Sequence, residues 1–141
     1  MDFSQINWLA VVVAAVAGFV VGGVWFGPKT FYPIWWKLSG NEPTTEPGGQ
    51  SPLVLFGSTF LATLAQAATV AIFIEVATIV DPNFGPFQGL AAGALLGAGI
   101  AAASSLSHRL FSRAGFAVWI IEVGQDIVSL AVMGLIIAAW L

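Results

Sequence analysis

The stretch from Asn7 to Gly27 reads NWLAVVVAAVAGFVVGGVWFG, without a single charge. Its apolar side chains surround the axis instead of forming a stripe, the pattern of a helix solvated by lipid on all sides. About 20 such residues are needed to cross about 30 Å of hydrocarbon at about 1.5 Å per residue. Three further segments meet the requirement. One runs from about Leu53 to Val80, with Glu75 its only ionisable residue. The next, from about Pro86 to Ser107, is uncharged and rich in Gly and Ala. The last, from about Phe116 to Leu141, is interrupted by Glu122 and Asp126. Strands of a membrane β-barrel alternate inward and outward over about ten residues, and these segments do not. The first segment is read as a permanent helix, because Asp2 is the only charge before it and its apolar run exceeds the roughly 7–15 residues of a secretion signal's core. The expected architecture is all-α: one polytopic membrane domain over residues 1–141, with four transmembrane helices in a compact bundle.

Composition agrees. The 141 residues are 58% hydrophobic and 8% charged, whereas a water-soluble domain carries roughly 25% charged residues. A soluble enzyme and a disordered tail are excluded together. A nucleic-acid partner needs clustered Lys and Arg, and the net charge here is −3. Without Cys there is no disulfide, thiolate metal site or redox pair. Lys29 and Lys37 follow the first span, and Arg109 and Arg113 separate the third from the fourth, so all four cations fall on one side. The excess of Lys and Arg in cytoplasmic loops then places both termini outside.

The loop from Pro28 to Pro52 has two parts. Phe31, Tyr32, Ile34, Trp35, Trp36 and Leu38, with Lys29 and Lys37, suit the headgroup level. Tyr32, Trp35, Trp36 and Lys37 are expected as an interfacial anchor, with lipid or partner docking as the alternative. Residues 39–52 bury nothing and are expected to be flexible. In lipid, helices associate through close packing of small residues. Gly89, Gly93, Gly97, Ala101 and Ser105 recur every fourth residue in the third span, a glycine zipper, and Ala10, Ala14, Gly18 and Gly22 do so in the first. The expectation is that these two spans pack closely or that one face builds an oligomer.

An ionised carboxylate at the bilayer centre costs on the order of 2.5–3.5 kcal/mol on insertion scales, so it needs a partner, water or a proton. Glu122 and Asp126 are four apart on one helix face, Ser129 extends that face and Gln125 sits beside them. Thr59, Thr63 and Gln66 form a polar ridge on the second span, and a contact between Gln66 and Asp126 is expected. Two readings stand for the set Glu122, Asp126, Gln66, Gln125 and Ser129. In one it binds a proton or cation. In the other it is polar glue, with Arg109 or Arg113 reaching down to Glu122. His108 follows Ser104, Ser105 and Ser107, but no nucleophile-elbow or metal-ligand spacing accompanies it. No catalytic residue or metal ligand is assigned, and no cofactor is indicated.

Certain motifs bear a family likeness. Asn7-Trp8-Leu9-Ala10-Val11 leads to Gly22 and Trp25-Phe26-Gly27-Pro28, then Trp35 and Lys37-Leu38 followed by Gly40. Near the other end stand His108-Arg109-Leu110-Phe111, Trp119-Ile120-Ile121, Val128-Ser129-Leu130, Met133-Gly134 and Ala139-Trp140. Together they resemble the bacterial membrane family catalogued as domain of unknown function 1761. The resemblance implies a small four-helix protein of the bacterial inner membrane, termini on the periplasmic side, with no established activity. It also implies neutral polar or aromatic residues at the places of Glu122, Gln125 and Asp126, from which this chain departs. Two functions fit these readings. One is an oligomeric channel or transporter for protons or cations, built on the acidic pair. The other is a non-catalytic accessory subunit of a larger membrane complex, packing through its small-residue faces.

Overall fold

The computed structural model describes residues 3–45 and 49–141; Asp2 and residues 46–48 of the expected flexible stretch lie outside the described residues. Among the described residues the regular structure is entirely helical. A short 3₁₀ turn, Phe3–Gln5, precedes α1 (Trp8–Trp25). Then come α2 (Tyr32–Leu38) and α3 (Pro52–Val80). α4 (Pro86–Leu96) continues through a π-helical turn, Gly97–Ala102, into α5 (Ala103–Phe111). α6 (Gly115–Ala138) closes the chain. α1, α3, the continuous α4–α5 rod and α6, of 18, 29, 26 and 24 residues, are each long and apolar enough to cross a membrane. The chain is a multi-pass membrane protein.

Local chemistry sets the boundaries. The Asn7 side chain accepts from the Ala10 N–H at 3.2 Å, capping α1. Ser51 caps α3 in the same way, accepting from Val54 at 3.3 Å, and Pro52 occupies the first turn where its missing N–H costs nothing. Gln88 accepts from the Gly85 N–H at 3.3 Å, with Pro86 opening α4. At the other end of α1 the Thr30 hydroxyl donates to the carbonyls of Val24 and Trp25 at 2.6 and 2.8 Å. Left-handed Arg113 (φ 61°) and Gly115 (φ 83°) make the tight reversal from α5 into α6.

α6 is the hub, packing against α1, α3 and the α4–α5 rod. This corrects the expected pairing of first and third spans, which scarcely touch. The glycines of the third span meet the fourth instead. A Cβ on Gly89 would overlap the Gly134 carbonyl and Ala138, one on Gly93 the Leu130 carbonyl, and one on Gly97 would lie 2.7 Å from Ile127 Cα. The register is antiparallel and backbone touches backbone. The physical reason is that α6 carries its own small residues, Ala131, Gly134 and Ala138, opposite those glycines, so the close approach is two-sided. The first span's small face also turns to α6 and to α3: Ala10 and Ala14 are fully buried, and Gly18 lies against Met133 and Thr63.

The expected stripe Gly97–Ala101–Ser105 is shifted. After Gly97 the next buried position is Ala102, five residues on, because the π turn bonds i to i+5 and rephases the helix. Val11, Val70, Ile74 and Met133 fill the centre with no access to solvent. Large apolar side chains such as Leu9, Leu61, Ile79, Phe87 and Leu95 point outward, each more than 60% exposed, an outer surface suited to contact with lipid.

Gly93→Ala is expected to destabilise the protein by about 1–3 kcal/mol, the cost of overpacking a filled site. Gly99→Ala, where a Cβ meets nothing within 4 Å, serves as the silent control. Reversible unfolding in mixed micelles measures both.

Candidate functional site

The polar residues of α6 lie near the end of the bundle that carries the cations. Glu122 lies about 10 Å along α6 from Gly115, and Asp126 about 16 Å, near mid-depth of a 30 Å core. Between them and the neighbouring elements is a recess of about 290 Å³, lined by Phe26, Trp35, Ser105, Arg109, Glu122, Gln125 and Asp126.

Its two carboxylates are unequal. Glu122 is fully engaged. Arg109 Nε reaches Glu122 Oε2 at 2.5 Å, and the Trp35 indole N–H donates to Oε1 at 3.0 Å. Of the two cations expected to reach Glu122, Arg109 is the one that does. Asp126 lines the same recess and receives no hydrogen bond among the described residues, where no buried polar atom lacks a partner, so its carboxyl oxygens are not sealed in the packing. The charges acting on it are Glu122, one turn away, and Arg109 beyond.

Tryptophans hold this geometry. The Trp25 ring packs against Gly124 and its N–H donates to the Ile121 carbonyl at 3.0 Å, locking α1 to α6 at the residue before Glu122. Trp119 donates to the Ala102 carbonyl and Ser105 Oγ at 3.1 and 3.2 Å, locking α5 to α6 at the end of the π turn. The Thr30 cap turns the chain so that α2 brings Trp35 over the recess, where its ring packs edge-on to Phe26 at 5.4 Å. Trp35, expected as an interfacial anchor, thus also has its indole engaged inside the bundle. Trp36, stacked on Tyr32 at 5.5 Å, and exposed Lys37 remain on the outer side of α2.

Gln125 and Ser129 form a second connection, away from Asp126. Gln125 Nε2 donates to Ser129 Oγ at 2.7 Å, and Ser129 Oγ donates to the Gly18 carbonyl at 3.3 Å. The expected Gln66–Asp126 contact is not formed. Thr63 sits level with Gly18 and Met133, so Gln66, further along α3, lies on the far side of Ser129 from the recess. Asp126 is also turned toward α5, away from α3. Sequence reasoning missed Trp35 and Phe26; the signal was an indole N–H, a donor that needs an acceptor once half-buried. No group of three or more His, Cys, Asp or Glu suited to a metal occurs among the described residues.

The family model described as "Protein of unknown function (DUF1761)" matches residues 9–138. No curated protein and no solved structure matches the chain.

Arg109→Gln is expected to destabilise the protein by about 1–3 kcal/mol, between the values for exposed and buried pairs, because Arg109 is 46% exposed and Glu122 17%. The double variant with Glu122→Gln should recover most of that loss. A double-mutant cycle in detergent measures the coupling.

Proposed function

The chain belongs to the DUF1761 family, described as proteins of unknown function, and from its own residues we propose that it binds a proton or a cation at Asp126 and moves it across the membrane. The observation that carries this reading is the inequality of the two carboxylates. Glu122 is neutralised by Arg109 and held by Trp35. Asp126, one turn deeper, lines the recess and accepts no hydrogen bond from the donors around it. A carboxyl placed in a membrane helix is costly, and one left without a protein partner invites a proton, a cation or water.

The inside of one copy does not supply a continuous path. Beyond Asp126 lie the Ser129–Gly18 bond and the filled layer of Val11, Val70, Ile74 and Met133. This supports a binding-and-release site over an open pore, with transfer completed by rearrangement of the helices or at a contact between copies. We further place the recess on the cytoplasmic side of a bacterial inner membrane and both termini on the opposite side, because Lys29, Lys37, Arg109 and Arg113 share the end of the bundle that holds it. The role is taken as non-catalytic. An accessory subunit docking through glycine faces has less support, since Gly89, Gly93 and Gly97 are already covered by α6.

Flux into proteoliposomes under an imposed potential, read by enclosed pH- and sodium-sensitive dyes, tests the proposal. Wild-type protein should carry one of these ions, Asp126→Asn should lower the rate at least tenfold, and Glu122→Gln should lower it less. Equal flux in wild type and Asp126→Asn, or no flux above empty vesicles, overturns it.

A further inference from the structure

A second recess, of about 280 Å³, opens between α1 and α3, walled by Phe19, Gly22, Gly23, Phe26, Phe56 and Gln125 among others. Its lining is mostly apolar, with Thr59, Thr63 and Gln125 as the polar members. Its depth comes from the glycines: a Cβ on Gly22 would stand 3.4 Å from Gln125 Nε2, and one on Gly23 would project into open space. Phe26 and Gln125 line both this recess and the polar one and stand between them. The two spaces therefore lie back to back at one level of the bundle, one mostly apolar and one carrying Asp126.

From this juxtaposition we infer that the combined site takes an organic cation with an apolar body, its charge at Asp126 and its hydrocarbon part in the α1–α3 groove. The inference rests on the reading of Asp126 as a cation site and names the class of substrate. Charge decides the sign of the occupant. The polar recess holds two carboxylates and one guanidinium, and the guanidinium is paired with Glu122, so an anionic headgroup would meet an excess of carboxylate. The aromatic lining adds a preference for a weakly hydrated cation. Phe26 and Trp35 line the polar recess and Phe19 and Phe56 the groove, and aromatic rings favour poorly hydrated ammonium groups. A neutral apolar molecule would fill the groove but leave Asp126 without a counter-charge.

The test uses the full chain in nanodiscs of phosphatidylcholine, with titration calorimetry against empty nanodiscs. Three probes share one tail: octyltrimethylammonium, octanol and octanoate. The expected result is saturable binding of the ammonium alone, weakened at least tenfold in Asp126→Asn and at least tenfold in Gly23→Leu. The second variant fills the groove without touching the packed core, since nothing lies within 4 Å of a Cβ at Gly23. Comparable binding of octanol or octanoate overturns the inference, as does undiminished ammonium binding in Gly23→Leu or no saturable binding at all. Proton or sodium flux lost in Asp126→Asn, with no ammonium binding, discards this substrate class and keeps the broader reading. Failure of both assays discards both.

Discussion

In hydrocarbon no solvent repairs an unmade hydrogen bond, and helices gain nothing from burying one apolar surface against another. What joins the spans must therefore be close backbone approach and specific polar contact. Both devices converge on α6. On one side it meets the third span where Gly89, Gly93 and Gly97 bring backbone onto backbone. On another, the Trp25 and Trp119 indoles donate across to carbonyl or hydroxyl oxygens. Glu122 sits between these fixed points with both oxygens occupied. The site inherits its rigidity from the packing, because the same helix supplies both.

That rigidity gives Asp126 its meaning. Several polar groups in the spans turn to local partners: Thr59, Thr63 and Thr69 donate to carbonyls of their own helix, and Gln125 with Ser129 bridges to Gly18. These are the ordinary ways of lowering the cost of a polar side chain in a membrane. Asp126 follows none of them, although Ser105 and Gln125 line the same recess. A purely structural carboxyl would be expected to take one of those donors.

The four spans were legible because length and uninterrupted apolarity are physical requirements of crossing a bilayer, and α1, α3 and α6 match the expected segments to within about three residues at each end. The third span runs on to Phe111, since Ser107, His108 and Arg109 are compatible with a helix leaving the core. Partner choice was less legible. Every-fourth-residue glycines announce a face, but its partner depends on which neighbour offers an equally bare face, and the spacing of Ala131, Gly134 and Ala138 is only partly regular. That Arg109 or Arg113 could reach Glu122 was readable from charge and depth; which of the two does so was not. Neither was Trp35, because the same residue type suits a lipid interface and a buried indole donor, and only the turn made by Thr30 decides between them.

The π turn ties packing to chemistry most directly. In an uninterrupted α-helix the path from Gly97 to Arg109 turns through about 1200°, leaving Arg109 about 120° away from the glycine face. A π turn winds less per residue, and the turn over Gly97–Ala102 takes back much of that offset. Ala102 thereby enters the packed face, Ser105 and Arg109 come round toward α6, and the Ala102 carbonyl meets the Trp119 N–H. Gly97, Gly99 and the small alanines around them permit the widened turn because no side chain resists it. The glycine-rich middle of the third span therefore has two roles: it lets α4 lie against α6, and it sets the angle at which α5 delivers the guanidinium that neutralises Glu122 and leaves Asp126 exposed to the recess.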